Sequence, residues 1–465
     1  MEIELSNKIR VKNPPDTLNN LMIDKLRVVN PKFLEAQAAG RSTWGMEQHI
    51  LNFMTMPDGS FLIPRGCRTW LISMAEELGV PYNITDNRTK FDHLEIDSSR
   101  IKYRPYQFDA ILHLVSEAPE GVLVAPAGSG KTVMGLSIIP LVGQPTLWLT
   151  HTGPLADQAK ERAEFFLPNI GEIGLIGRGK WKQGEVLTIG MIQTLVRNPE
   201  KLIKMRNEWG MVILDEAHHC PARTFLEVIT HINSYYTYGL TATPYRRDKL
   251  EVLMFQALGE DKTVIPIKKV EEFGGIILPT VRYRAVHSKR IDTNNIQQIL
   301  KFIIANTKRN RMIVSDVIKE AVQGHFCIVI SDRREHCETL NALISAGWDK
   351  TSIATGKYSK KYVREQVEKY NNGEITVLVA TFALLGEGFD VPFLDRAFIT
   401  MPFRAEAKAE QLIGRIQRSH PGKKDAIVYD YVDVDIGVVE NQFFNKRRDC
   451  RYRTYTRLGV NVEPY

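Results

Sequence analysis

The segment Ala125-Pro-Ala-Gly-Ser-Gly-Lys-Thr132 decides the fold, because it follows the apolar run VLVA (122–125) and precedes a helical stretch. Its two glycines allow backbone N–H groups to turn inward around phosphate oxygens, at a helix N-terminus whose dipole favours anions. Lys131 is placed to reach the β- and γ-phosphates, and the Thr132 hydroxyl to bind Mg²⁺. The other residues of this predicted phosphate-binding loop are Ala127, Gly128, Ser129 and Gly130.

Outward from this loop, apolar strand-like runs alternate with helical segments from about residue 104 onward. Continuous apolar strands alternating with helices predict parallel sheets covered on both faces. One series of runs ends near residue 243, and a second begins after residues 279–290. We therefore predict an α/β protein with two parallel-sheet domains, at 99–280 and 281–440. They follow a small α+β domain at 1–98 and precede a basic-aromatic tail at 441–465.

The first 95 residues have a different pattern. Alternating apolar residues from Ile3 to Val11 predict a strand, and the stretch from Thr17 to Ala39 predicts one helix. A hairpin is predicted over 49–65, turning at residues 57–59, and an amphipathic helix over 67–78. This small α+β domain carries 12 basic and 13 acidic side chains within residues 1–100, so bulk charge does not attract it to nucleic acid. Local arginines such as Arg41, Arg65 and Arg68 are candidates for docking a duplex, and bracing the neighbouring domain is the alternative.

A second candidate site is the acidic segment Asp215-Glu216-Ala217-His218, which follows the apolar run MVIL (211–214). A carboxylate at the carboxyl end of a parallel strand faces the same crevice as the phosphate-binding loop. There Asp215 can hold Mg²⁺, and Glu216 can position or deprotonate an attacking water. Two acidic residues after a strand also occur in solvated loops, but their combination with Lys131 favours catalysis.

A third candidate site is the helical pattern from Gln411 to Arg418. At 100° per residue, Gln411, Arg415 and Arg418 share one face of the helix. Two guanidiniums and an amide facing one way suit a γ-phosphate whose charge shifts during transfer. Gly414 lies within this face at a cost of about 1 kcal/mol, which predicts a close packing contact.

Together these segments resemble the motifs of superfamily 2 helicases of the DEAH-box kind, over about residues 104–432. The resemblance also includes RPYQ (104–107), TATP (241–244), LLGEGFD (384–390), LTHTGPLADQ (149–158) and IGMIQTL (189–195). The small N-terminal domain, compact motor and short basic tail are similar in order to phage UvsW-type and XPB-type DNA helicases. Within that branch, DEAHH (215–219) and GLTATPYRRD (239–248) are the most similar segments.

The resemblance implies two tandem RecA-like domains, and ATP and Mg²⁺ as cofactors. It implies that ATP lies between the domains, with Lys131 and Glu216 on one side and two arginines on the other. The residues that the family's motifs assign to the catalytic set are Lys131, Asp215, Glu216, His218, Gln411, Arg415 and Arg418. Those assigned to nucleotide or Mg²⁺ outside the loop are Arg104, Gln107, Asp215, Gly388 and Asp390. Those assigned to the nucleic-acid backbone are Thr150, Gln193, Thr194 and Thr381.

The C-terminal tail holds much of the chain's positive charge. The formal net charge is +7, and residues 441–465 carry six basic and two acidic side chains. Arginines interleaved with aromatic residues are typical of sequence-neutral strand binding, so Arg447, Arg448 and Arg451 are predicted nucleic-acid contacts. The alternative is a helix that packs its aromatic side chains on the second domain while its arginines reach water.

Composition excludes several classes of protein. With 43% apolar and 25% charged residues the chain is globular, and no apolar run approaches the ~18 residues of a membrane span. Five scattered cysteines and a polar N-terminus are typical of a soluble cytoplasmic protein.

The function predicted from sequence is an ATP-driven DNA helicase that remodels branched, forked or single-stranded DNA. It is expected to act as a monomer on DNA, with replication or recombination proteins as further partners. The alternatives are a double-strand translocase, an RNA helicase, and a DNA clamp with little ATP turnover. The short segment after residue 418 disfavours an RNA helicase with C-terminal extension domains.

Overall fold

The computed structural model describes residues 1–465 except 218–221, 243–249, 289–292, 294, 386–390, 404–405 and 445–449. Contacts divide the chain into two compact units. Unit 1 contains residues 1–126 and 130–266, and unit 2 contains residues 127–129 and 267–465. No helix among the described residues is long and apolar enough to cross a membrane.

A five-stranded sheet forms the N-terminal part of unit 1, in the order β5-β6-β2-β1-β7, and β3 and β4 form a separate pair. The strands of this part are β1 (Glu2–Leu5), β2 (Lys8–Lys12), β3 (Arg27–Val29), β4 (His49–Leu51), β5 (Met54–Thr55), β6 (Phe61–Pro64) and β7 (Asn83–Asp86). Its helices are α1 (Asp16–Leu26), α2 (Pro31–Ala38) and α3 (Arg68–Glu77), with a 3₁₀ turn at Arg65–Cys67. Apolar side chains from β1, β2, β6, α1 and α3 form one buried core.

Two sequence predictions in this part are wrong. The predicted strand from Ile3 to Val11 is an antiparallel hairpin, β1–β2, in which the Ser6 backbone N–H donates to the Lys8 carbonyl at 2.9 Å. The predicted helix from Thr17 to Ala39 is interrupted by β3, which pairs with β4. The helix restarts at α2, where the Asn30 side chain accepts from the Lys32 backbone N–H. The turn at 57–59 and the helix near 67–78 are confirmed.

The second part of unit 1 is an eight-stranded sheet in the order β11-β10-β12-β9-β13-β14-β8-β15, parallel except for the β10–β11 pair. Its strands are β8 (Glu120–Val124), β9 (Thr146–Thr150), β10 (Gly174–Gly177), β11 (Lys180–Lys182), β12 (Leu187–Met191), β13 (Met211–Leu214), β14 (Tyr236–Thr241) and β15 (Lys262–Val264). Its helices are α4 (Pro105–Glu117), α5 (Lys131–Val142), α6 (Gly153–Phe166), α7 (Ile192–Val196), α8 (Pro199–Lys204), α9 (Ala222–Ile229) and α10 (Glu251–Leu258).

Unit 2 contains a seven-stranded parallel sheet in the order β18-β19-β17-β20-β21-β16-β22. Its strands are β16 (Thr280–Val286), β17 (Cys327–Ile330), β18 (Thr351–Ala354), β19 (Val377–Ala380), β20 (Arg396–Ile399), β21 (Ile427–Asp433) and β22 (Asn461–Pro464). Its helices are α11 (Ile267–Glu272), α12 (Ile296–Ala305), α13 (Thr307–Val322), α14 (Arg334–Ser345), α15 (Lys360–Asn371), α16 (Glu406–Ile416), α17 (Gly437–Phe444) and α18 (Arg451–Arg457), with a 3₁₀ turn at Phe382–Leu385. The prediction of two parallel-sheet α/β domains after a small α+β part is confirmed.

Candidate active site

The predicted phosphate-binding loop connects β8 to α5. Gly128 and Gly130 have φ values of 85° and 88°, in the left-handed region that favours glycine. A Cβ atom on Gly130 would lie 2.5 Å from Nε2 of Gln107, so a side chain at this position would displace the Gln107 amide. Lys131 begins α5 and is buried, and its ammonium donates to the Ala125 carbonyl at 3.3 Å. This cradle and the charge at the helix N-terminus fit a nucleotide phosphate chain.

The acidic pair lies at the carboxyl end of β13. Asp215 is buried, and the Glu216 Oε1 atom lies 3.8 Å from the Lys131 Nζ atom. Burial and the neighbouring Glu216 charge raise the pKa of Asp215 to about 7, although Lys131 and Arg162 act in the opposite direction. A buried carboxylate with this environment gains from a cation, which fits Mg²⁺ held by Asp215 and Thr132.

Glu216 has a strained backbone, with φ at 50°. A non-glycine residue in the left-handed region carries about 1–2 kcal/mol of conformational energy. The loop is fixed on both sides, because the Asp215 N–H donates to the Leu149 carbonyl at 3.0 Å and the Ala217 N–H to the Leu240 carbonyl at 2.9 Å. The fold therefore holds Glu216 in this conformation and brings its carboxylate towards Lys131.

Gln107 and Arg104, predicted as adenine contacts, lie at the start of α4. The Arg104 N–H donates to Oε1 of Gln107 at 2.9 Å, and Gln107 is buried beside Gly130. The structure thus brings this amide against the phosphate-binding loop. The adenine contact itself stays a prediction.

Arg162 is a charged neighbour that the sequence analysis missed. Burial lowers its pKa, and the Asp215 carboxylate opposes that shift. It lies on α6, whose sequence shows an ordinary amphipathic pattern. No sequence signal distinguishes this arginine from Lys160, the exposed cation of the same helix.

In unit 2, the predicted arginine-bearing segment forms α16 and the turn after it. Gln411 is exposed, whereas Arg415 and Arg418 are half-buried. The Gln417 side-chain amide donates to the Ala127 carbonyl, and a Cβ atom on Gly414 would lie 3.1 Å from the Ala127 Cβ. The close packing predicted at Gly414 is therefore confirmed.

The residues predicted to contact nucleic acid have different environments. Thr150 is buried at the end of β9, and its hydroxyl donates to the Thr152 carbonyl at 3.4 Å. Gln193 is exposed on α7, Thr194 beside it is half-buried, and Thr381 is half-buried after β19. All four follow the carboxyl ends of parallel strands, and their contacts with nucleic acid stay predictions. His218, Gly388, Asp390, Arg447 and Arg448 lie outside the described residues.

Arg451 corrects one of these predictions. Its guanidinium is buried and donates to both carboxylate oxygens of Asp430, at 2.8 and 3.0 Å, and to the Phe403 carbonyl at 3.0 Å. The Tyr455 hydroxyl also donates to Asp430, at 2.9 Å. The Arg451 guanidinium therefore binds groups within unit 2, and its burial keeps it from contact with a nucleic-acid strand. The tail packs within unit 2 at this residue, but Arg451 is buried rather than directed to water as the alternative expected.

Two arginines of the N-terminal part also bind groups within the protein. Arg65 is buried and donates to the carbonyls of Ser234 and Tyr235, at 2.7 and 3.2 Å. Arg68 pairs with the buried Glu120 at 2.6 Å. Both bind the small sheet to the larger sheet of unit 1, as in the bracing alternative, whereas Arg41 is exposed.

Comparison with known proteins matches both parallel-sheet domains. The family model "Type III restriction enzyme, res subunit" matches residues 100–246, and "Helicase conserved C-terminal domain" matches residues 308–420. The "Probable helicase D10" of Escherichia phage T5 is 27% identical over 368 residues, covering 78% of this chain and 78% of that protein. The "ATP-dependent DNA helicase uvsW" of Enterobacteria phage T4 is 23% identical over 423 residues, covering 85% and 81%.

A solved structure supports the fold. The Pyrococcus furiosus Hef helicase domain aligns with a TM-score of 0.52 and 16% sequence identity, covering 76% of this chain and 100% of that one. At this identity the likeness concerns the fold alone, and it agrees with tandem RecA-like domains.

Proposed function

Since the chain belongs to the superfamily 2 helicases and is an ATP-dependent helicase, we propose that its substrate is DNA and that it remodels branched DNA. The remodelling reactions in this proposal are junction migration, fork reversal and the unwinding of D- or R-loops. One observation supports ATP hydrolysis by this chain most directly. The Lys131 Nζ atom lies 3.8 Å from the Glu216 Oε1 atom, and Asp215 is buried beside them.

These residues have distinct tasks in ATP hydrolysis. Lys131 stabilises negative charge on the terminal phosphates, and Glu216 positions the attacking water and accepts its proton. Bound Mg²⁺ would neutralise charge on the β- and γ-phosphate oxygens, and Thr132 and Asp215 would hold it. We propose that Arg415 and Arg418 stabilise the charge that develops on the transferred phosphoryl group.

The choice of DNA rests on the relatives. The phage T4 relative is named a DNA helicase, and its match covers 85% of this chain, which is more than the two parallel-sheet domains comprise. The similarity therefore includes part of the N-terminal domain. A similarity that extends beyond the two parallel-sheet domains supports a related substrate better than the helicase motifs alone do. Those motifs contact the sugar-phosphate backbone, which DNA and RNA both have.

The test compares nucleic-acid structures of one sequence. ATP hydrolysis and strand separation are measured with single strands, plain duplexes, forks and four-way junctions, each made as DNA and as RNA. Forked and four-way DNA should stimulate hydrolysis most and should be converted to products. The Glu216→Gln variant should bind the same DNA without hydrolysis, which excludes a contaminating ATPase.

Three outcomes would contradict this proposal. Preference for RNA duplexes would identify an RNA helicase. Stimulation by plain duplex DNA without strand separation would identify a translocase. The absence of stimulation by every DNA would contradict a DNA substrate altogether.

A further inference from the structure

Lys423 lies in the segment that connects α16 to β21. Its N–H donates to the His420 carbonyl at 3.0 Å, closing a turn. Its ammonium then donates to the main-chain carbonyls of Leu394 at 2.6 Å and Arg418 at 2.9 Å, and to that of Ile416. An ammonium has three N–H donors, and here all three go to carbonyl oxygens.

Two of these carbonyls belong to the end of the arginine-bearing segment. The last carbonyls of a helix have no partner within the helix, and a cation there also offsets the helix dipole. The same segment also pairs with the residues that precede β16. The Ile277 N–H donates to the Gln417 carbonyl at 2.7 Å, and Ile276 forms a β-bridge with Arg418. The third carbonyl, from Leu394, ties the turn to the chain that precedes β20.

The surroundings of Lys423 disfavour its charged form, so the ammonium depends on the polar atoms that it contacts. Burial lowers the pKa of Lys423 to about 8, and the guanidiniums of Arg396 and Arg418 act in the same direction. The carboxylates of Asp395 and Asp425 oppose that shift. A half-buried cation near two arginines is unfavourable unless polar atoms replace its water, and the three carbonyls do so.

We propose that Lys423 is a positioning residue for ATP hydrolysis, which fixes the main chain from which Arg418 extends. This proposal rests on the role of Arg418 proposed above. Loss of the ammonium would leave the carbonyls at the end of α16 without their donor, and Arg418 would start from a less defined backbone. Binding of ATP would change little, because Lys423 acts through Arg418, whose proposed role is to stabilise the charge that develops in the transition state.

The test measures kcat and KM for DNA-stimulated ATP hydrolysis. Lys423→Met should lower kcat about tenfold, the effect of losing one charged hydrogen bond, with KM for ATP within about twofold of wild type. Lys424→Met is the matched control, because Lys424 is the next residue and is exposed. Lys423→Arg should recover most of the rate, since a guanidinium also donates to several carbonyls.

A double-mutant cycle separates positioning from general stability. If Lys423 acts through Arg418, the Arg418→Ala/Lys423→Met variant should be no slower than Arg418→Ala alone. Additive losses, or a fall in thermal stability with unchanged kcat, would overturn the proposal. An unchanged rate in Arg418→Ala itself would instead contradict the role of Arg418, so the two failures are distinguishable.

The pH profile tests the same idea in folded protein, if Lys423→Met does not fold. Lys423 is charged below pH 8 and loses a donor above it, so wild-type kcat should fall as pH rises through about 8. The arginine variant stays charged there and should lack that fall. Identical alkaline profiles in the two proteins would contradict the proposal.

Discussion

The two parallel sheets both place buried charged side chains at or near the carboxyl ends of their strands, but they use them differently. In unit 2, Asp433 receives two N–H groups of Arg309 at 3.1 and 3.3 Å, and Asp430 receives two from Arg451. In unit 1, the Lys131–Glu216 distance is 3.8 Å, and burial raises the pKa of Asp215 to about 7.

This difference distinguishes a scaffold from a binding site. Bidentate arginine pairs satisfy buried carboxylates within the protein, so those groups have little capacity left for a ligand. The Lys131–Glu216 pair, at 3.8 Å, is looser than these arginine pairs, and the Glu216 backbone is strained. Both features are typical of groups at a binding site. We therefore propose that Lys131 and the acidic pair of unit 1 act on the nucleotide together with Arg415 and Arg418 of unit 2, whereas the bidentate pairs of unit 2 stabilise its fold.

Among the variants of unit 1, Lys131→Ala should have the largest effect on ATP hydrolysis. DNA-stimulated ATP hydrolysis should fall by about 10³-fold or more, because the group that stabilises the outer phosphates is lost. DNA binding and the midpoint of thermal unfolding should change little. The check is steady-state ATPase activity beside a DNA-binding titration, and retained hydrolysis would refute the role of Lys131.

Arg451→Met tests the unit 2 side, where the effect should be on stability. Removing the guanidinium leaves Asp430 buried without its cation, which should cost about 3–5 kcal/mol in the free energy of unfolding. Thermal and urea unfolding measure this loss. Arg453→Met, an exposed arginine of the same helix, is the control and should change little.

A second variant makes that test specific. Arg451→Met/Asp430→Asn should recover part of the lost stability, because the amide is neutral and still accepts from Tyr455. Equal losses in the single and double variants would show that packing of Arg451, rather than its charge, stabilises unit 2.

The sequence predicted where the candidate site residues of unit 1 lie in the fold, because their positions follow from local sequence. The phosphate-binding loop and the acidic pair each follow an apolar strand, so their position at the edge of a parallel sheet follows from the strand order. Arg451 was mistaken for a nucleic-acid contact because its partner, Asp430, lies 21 residues away on a strand whose residues are all buried. A basic side chain in an aromatic segment gives no sign of such a partner.

The errors in the N-terminal part have a similar cause. The break between α1 and α2 depends on the pairing of β3 with β4, across an intervening helix and loop. Helical periodicity continues across Arg27–Val29, and local propensity alone cannot predict a strand whose partner is distant. The contacts of Arg65 with Ser234 and Tyr235 are much more remote still, at sequence separations of 169 and 170 residues.

Glu216→Asn should give a small gain in stability, and it tests whether unit 1 is strained at its site. Asparagine adopts the left-handed conformation at φ 50° more readily than glutamate does, and it removes a charge beside Asp215. The free energy of unfolding should therefore rise by about 1 kcal/mol while ATP hydrolysis is lost. Arg178→Asn is the control, since Arg178 has φ 51° and forms an exposed pair with Asp157. That variant should be stabilised by a smaller amount, with basal hydrolysis retained. A loss of stability in Glu216→Asn would mean that the Glu216 carboxylate stabilises the fold. Glu216 would then resemble the paired carboxylates of unit 2, which would contradict the contrast drawn between the two sheets.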